Sequence, residues 1–255
     1  MRRLPPSWPL GENPTVTRGR HSDQAAAVQR LRVRFAKRGR LRFTSHRDFQ
    51  RAFERALRRA RVPIAYSQGF SPHPKVSYAG AAPMGAASEA EYLEISLTRA
   101  CDPADVARSL DAALPAGLDV VEVVEAGGEP LADRLQASLW RIEMPGAEPT
   151  VLAAAVSRFL AAGSVEVRRL TKNGSRVLDA RAAVVRLEVA VDRDAGAPGL
   201  LAVIRNLTPT VRPNDLVAAL GTVGAGPPAQ SHISTRLAQG PLDEATVGDP
   251  FHDGT

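Results

Sequence analysis

Apolar and basic residues alternate with a period of two in "QRLRVRF", where Leu31, Val33 and Phe35 interleave with Arg30, Arg32 and Arg34. A half-buried strand imposes that period, because successive side chains leave opposite faces. After "AKRG" the run "RLRF" repeats the alternation, which predicts a hairpin or one bulged strand. The period then lengthens. In "TSHRDFQRAFERALRRARVP", Phe49, Phe53, Ala56, Leu57 and Ala60 fall on one side of a helix, and Arg47, Arg51, Arg55 and Arg58 fall on the other. Ser45, three residues before Asp48, reads as a capping box and Pro63 as a stop, so a helix is expected from about His46 to Ala60.

Further along, "IAY" and "KVSYA" read as short strands around a proline-rich loop, and "EYLEISL" as a strand with Tyr92, Ile95 and Leu97 in a less regular alternation. Asp102 and Pro103 open the helix "DPADVARSLDAAL", and "GLDVVEVVEA" closes the unit as a strand. The order β-α-β-β-α-β is the ferredoxin-like arrangement. Gly127 to Pro130 reads as a linker. Beyond it, "ASLWRIEMP", "EPTVLAAAVSRFLAAG", strands around an Asn173-Gly174 turn, "LLAVIRN", "RPNDLVAALG" and "HISTRLA" repeat the order in weaker form, without sequence repetition. The expected fold is α+β, with two ferredoxin-like halves packed together over residues 30–126 and 131–239. A disordered leader over 1–29 and a disordered acidic tail over 240–255 complete the expectation.

Composition removes several functions. No apolar run approaches the roughly 20 residues of a membrane span, and the N-terminal stretch lacks the apolar centre of a secretory signal, so a cytoplasmic protein without membrane attachment is expected. The single cysteine, Cys101, excludes an internal disulfide framework and an iron–sulfur cluster held by several cysteines of this chain. Five scattered histidines predict no metal site, and no cofactor is expected. Phosphate-loop, dinucleotide, H-E-x-x-H and G-x-S-x-G motifs are all absent from the sequence.

Charge is concentrated rather than spread. Between Arg30 and Arg61 there are 13 Lys/Arg against Asp48 and Glu54, a local +11 in a chain of net +6, which leaves −5 elsewhere. Clustered cations gain by releasing the counterions of a polyanion, so this block suggests a phosphate-rich partner. Lysine occurs only at 37, 75 and 172, so nearly every cation here is arginine. Four guanidinium groups at successive turns are spaced to follow a phosphate backbone; the plainer reading is a solvated face with Glu54 paired to Arg58.

The loop "YSQGFSPHPKVSYAGAAPMG" holds further candidates. Pro72 and Pro74 fix their own φ and push Ser71 and His73 toward extended geometry, so His73 and Lys75 are presented on a stiff support, as ligand contacts or as part of a structural turn. His46 and Asp48 open the arginine helix. Asp48 is a candidate nucleophile or base, or simply a helix-start carboxylate favoured by the dipole. Asp179, with Lys172, Arg176 and Arg181 around a hairpin, is a third catalytic candidate beside Asp48 and His73, and a surface salt bridge is its structural alternative.

From "LRFTSHRDFQRAFERALRRARVP" through "GFSPHPK" to "SEAEYLEI" the chain resembles the radical SAM-linked protein family, a bacterial domain of unknown function. That domain stands alone or is joined to the C-terminal end of a radical SAM protein, so the resemblance implies a radical SAM protein as partner. It supplies no established catalytic residues. Three functions compete: an RNA-binding module presenting tRNA or rRNA to a radical SAM enzyme; an RNA-modifying enzyme with the paired architecture of pseudouridine synthases and an Asp48 or Asp179 nucleophile; and a protein-binding adaptor. The first has the basic block behind it, with Arg47, Arg51, Arg55, Arg58, His73 and Lys75 as its nucleic-acid contacts.

Overall fold

The computed structural model describes residues 26–171, 174–191, 198–224 and 232–252. Strand β1 (Gln29–Lys37) leads through a 3-10 turn (Gly39–Phe43) into helix α1 (His46–Arg59), then β2 (Val76–Ala79), β3 (Ala87–Leu97), α2 (Pro103–Ala113) and β4 (Leu118–Glu125). There follow α3 (Leu131–Arg134), β5 (Ala137–Glu143), α4 (Pro149–Ala161), β6 (Glu166–Thr171), β7 (Gly174–Asp179) and α5 (Ala180–Ala183). The chain continues with β8 (Val184–Val191), β9 (Pro198–Arg205), α6 (Pro213–Thr222), β10 (Ile233–Gly240), β11 (Leu242–Asp243) and β12 (Thr246–Val247).

The fold is α+β, built on one mixed sheet of eight strands in the order β4-β1-β3-β10-β5-β9-β8, with β2 also on β3. Antiparallel pairing joins β3 to β1 and to β2, while β10 lies parallel to β3 through Thr235↔Ala87 and Arg236↔Ser88. β2 and β10 therefore share one edge of β3, end to end. The two halves expected from the sequence are not independent bodies, because this parallel pairing makes their strands one sheet. Residues up to Glu125 supply the order β4-β1-β3-β2 and the later ones β10-β5-β9-β8, with the β6–β7 hairpin set apart as its own two-stranded sheet. Arg169 of β6 donates from Nε to Asp215 at 3.0 Å, which pins the hairpin to α6.

Two apolar cores lie under the helices. Leu31, Val33 and Phe35 of β1 meet Leu93, Ile95 and Leu97 of β3, and α1 closes over them with Phe49, Phe53 and Leu57. The second core gathers Trp140, Ile142, Leu152, Phe159, Leu200 and Leu216 from β5, α4, β9 and α6. Ser45 caps α1 as its sequence predicts, accepting at Oγ from the Asp48 amide at 3.2 Å, and Asp102 caps α2 by accepting from the Ala104 amide at 2.7 Å.

Four sequence expectations are corrected. "RLRF" is a 3-10 turn rather than a strand: Gly39 at φ +55° turns the chain, and the Arg38 carbonyl accepts from the Leu41 amide. On β3 the face toward α1 carries Glu91, Leu93, Ile95 and Leu97, while Tyr92 faces the other way with Ala90, against Leu131, Leu135 and Phe251. Residues 240–252 are folded, not disordered. β11 and β12 pair there, and Phe251 packs edge-on against Tyr92 with ring centroids 5.4 Å apart. Of the expected leader, residues 1–25 lie outside the described residues, as do Lys172 and Asn173, whereas Gln29 already belongs to β1.

Candidate nucleic-acid interface and adjoining cavity

The amphipathic pattern of α1 orients it. Phe49, Phe53, Ala56 and Leu57 are buried, so Arg47, Arg51, Arg55 and Arg58 stand on the opposite face and are all exposed. Arg58 donates from Nε to the Glu54 carbonyl at 3.3 Å and lies 3.7 Å from its carboxylate. Arg47, Arg51 and Arg55 make no hydrogen bond or ion pair among the described residues. The rest of the basic block is partly neutralised: Arg32 pairs with Glu94 at 3.0 Å, and Arg38 bridges Glu89 and Asp119. The block is thus split: Arg32 and Arg38 are answered by carboxylates, whereas Arg47, Arg51 and Arg55 on the outer face of α1 are not.

An aromatic series runs from the core to the N-terminal end of this helix. Phe49 stacks on Phe35 at 4.5 Å, Tyr78 stands edge-on to Phe49 at 6.0 Å, and His46 stands edge-on to Tyr78 at 5.1 Å. The series ends at a cavity of about 130 Å³ that contains Lys37, Thr44, Ser45, Met84 and Glu91 in its lining. Its outer rim is apolar and exposed: Met84 is 71% exposed, and Phe43, which precedes the lining residue Thr44, is 58% exposed beneath the Arg42 guanidinium at 4.7 Å. The Gly85 amide donates to the Arg42 carbonyl at 2.8 Å and ties the two rim segments together. Burial first, and then the Glu54 charge, pushes the Tyr78 phenol far up, so it stays neutral.

Two of the buried charges at the cavity floor were missed by sequence reasoning, and a third lies behind them. Glu91 accepts from the Ala82 amide at 3.2 and 3.3 Å and is paired with Arg236, whose Nε also donates to Ser88 Oγ at 3.2 Å. Burial opposes the charge on Glu91, but Arg236, Lys37 and these hydrogen bonds hold its carboxyl below the usual range. The Glu91–Arg236 pair divides the first cavity from a second of about 350 Å³, lined by Trp140, Asn206, Arg212, Arg236 and Gln239; Ala81 borders both.

The carboxylates picked from the sequence serve the backbone. Asp48 Oδ2 accepts from Ser45 Oγ at 2.7 Å and so holds the hydroxyl that caps α1; the reciprocal bond to the Ser45 amide that would complete a capping box is not formed. Asp179 accepts at Oδ1 from the amides of Val165, Arg181 and Ala182 at 3.1, 2.9 and 3.3 Å; desolvation opposes its charge, yet these bonds hold its carboxyl low. The proline loop is closed by the Ser67 amide donating to the His73 carbonyl at 2.8 Å and the His73 amide donating to Ser67 Oγ at 3.0 Å. His73 and Lys75 are both exposed, and neither side chain bonds to α1. Val76 and Tyr78 pack against the core beneath α1, so strand alternation sends Lys75 and Ser77 from the opposite face. Phe70, at the loop tip, is fully exposed and was overlooked; its signal is an aromatic residue between Gly69 and Ser71, inside a turn rather than a periodic element.

These features define an α+β protein with an unpaired arginine face beside a small cavity that has a charged floor. The family described as "Uncharacterized protein conserved in bacteria (DUF2344)" matches residues 30–213, well over half of the chain, and the protein belongs to that family. No curated protein matches it. No helix among the described residues is long and apolar enough to cross a membrane, and no group of three or more His, Cys, Asp or Glu among them is placed to hold a metal ion.

Proposed function

We propose that this protein is an RNA-binding module that presents tRNA or rRNA to a separate radical SAM enzyme. The observation that carries the reading is the outer face of α1, where Arg47, Arg51 and Arg55 stand at successive turns, exposed and without an internal carboxylate. A structural arginine face is normally laced with i, i+4 acids, whereas unpaired guanidinium groups at helical spacing fit a row of phosphates. Exposed Phe43 and Phe70 add surfaces on which unstacked bases can lie. His73 and Lys75 are exposed as well, but Lys75 leaves from the face opposite α1, so they would meet a separate part of the RNA.

The partner follows from the resemblance to radical SAM-linked proteins. With one cysteine, this chain cannot supply the ligands of the cluster such an enzyme uses, so it serves as the accessory component. The strand orders β4-β1-β3-β2 and β10-β5-β9-β8 support reading each end of the sheet as a ferredoxin-like unit, with the β6–β7 hairpin inserted in the second. An enzyme using Asp48 or Asp179 as nucleophile has less behind it, because both carboxylates are engaged in helix caps. The reading is tested by binding of bulk tRNA and rRNA fragments to the wild type and to a variant with Arg47, Arg51 and Arg55 changed to Glu. Micromolar binding lost in the variant supports it, and no binding by the wild type at low salt refutes it.

A further inference from the structure

Lys37 lies at the end of the apolar face of β1, past a bulge after Phe35, and is only 5% exposed. Its ammonium makes no hydrogen bond and no ion pair among the described residues. Glu91 attracts it, but that carboxylate is already occupied by the Ala82 amide and Arg236. A buried ammonium with three donors and no acceptor carries a free-energy penalty, and nothing in the apolar core requires a lysine there. Lys37 does line the cavity beneath His46 and Tyr78, so an acceptor arriving through the mouth would satisfy it.

We infer that this cavity is a slot for one unstacked uracil base of a bound RNA, with a base carbonyl accepting a hydrogen bond from the Lys37 ammonium. The inference rests on the RNA-binding reading and names what that surface selects. Size excludes a two-ring purine and admits one edge of a pyrimidine: a cavity of ~150 Å³ encloses one benzene, and this one, at about 130 Å³, takes the carbonyl edge of uracil with the rest of the ring in the mouth. Chemistry favours keto groups, since Lys37 offers donors only; uracil has two carbonyl oxygens, and cytosine replaces one with an amino donor. The setting suits a base rather than a free anion. The rings of His46 and Tyr78 and the thioether of Met84 frame the mouth, and Arg47, the next residue after His46, is placed for the adjoining phosphate.

The test is fluorescence anisotropy with short oligo-U and oligo-C, which share ring size and stack weakly. Wild-type protein should bind oligo-U about tenfold more tightly than oligo-C, the factor expected from one well-placed base contact. Lys37→Met should bring oligo-U down to the oligo-C level. Ala81→Leu, at an exposed lining residue, should do the same by filling the slot while leaving the buried charges in place. Equal wild-type affinity for the two oligomers, or a preference that survives both substitutions, overturns the slot while RNA binding stands. Failure of the wild type to bind either oligomer while it still binds bulk tRNA overturns the slot alone, and failure to bind bulk tRNA at low salt as well refutes the RNA-binding reading, with which the slot falls. Loss of both affinities in the arginine variant, with loss of preference alone in Lys37→Met, supports both.

Discussion

Glu91 and Lys37 face the same cavity with opposite consequences for stability. Glu91 is almost fully buried, but its carboxyl is held low because Arg236 and the Ala82 amide answer its charge. Its stabilising effect is therefore present above the ordinary carboxylate range and is lost as pH falls through its lower folded value. Glu91→Ala should cost about 3–5 kcal/mol at neutral pH, since it strands a buried guanidinium, and chemical denaturation would measure the loss. For Lys37, desolvation is the dominant influence and lowers the pKa. Below that folded value the penalty is complete, and it is relieved as pH rises toward the ordinary lysine value, where the unfolded chain also loses its proton. Lys37→Met should accordingly raise the melting temperature at neutral pH, by an amount that shrinks in alkaline solution. A lower melting temperature at neutral pH would mean that Lys37 has an internal partner after all. Neither residue stands out in the sequence, because their meeting depends on the long-range register Phe35↔Glu91 and on Arg236, 145 positions beyond Glu91.

At the scale of elements, local signals were readable wherever the chain answers its own backbone. Ser45 and Asp102 mark the starts of α1 and α2, and the change from a period of two to a helical period separates β1 from α1. Elements set by distant contacts were not readable. β3 is covered on both faces, so its alternation blurs, and the order of residues 240–252 depends on Phe251 reaching Tyr92. The turn after β2 shows how closely the elements fit. Gly80 has φ +57°, its carbonyl accepts from Arg236 at 2.6 Å, and a Cβ there would run into the Gln239 amide. Gly80→Ala should destabilise the protein by roughly 1–3 kcal/mol, combining left-handed backbone strain with displacement of Gln239. Gly127→Ala, with open space around it, is the matched control and should leave the melting curve unchanged.

At the scale of the whole molecule, one sheet carries two cores, and the short β3–β10 pairing with the Glu91–Arg236 pair behind it ties them together. The cavity sits beside that junction and below the start of the arginine helix; its lining comes from residues 35–92, and Arg236 of β10 holds Glu91 in its floor. The helix, its capping residue and its arginine face were legible from residues 44–61 alone, because they form within one amphipathic segment. The division of the basic block into paired and unpaired arginines was not legible, since Glu89, Glu94 and Asp119 come to β1 only through sheet pairing. The central claim concerns the unpaired set. Its most direct test is the salt dependence of tRNA binding for the wild type and for a variant with Arg47, Arg51 and Arg55 changed to Ala. The account predicts affinity that falls steeply with salt, and a log–log slope smaller by about 2 in the variant, from three phosphate contacts at ~0.7 each. Equal slopes and affinities for the two proteins, or no binding at low salt, would contradict it.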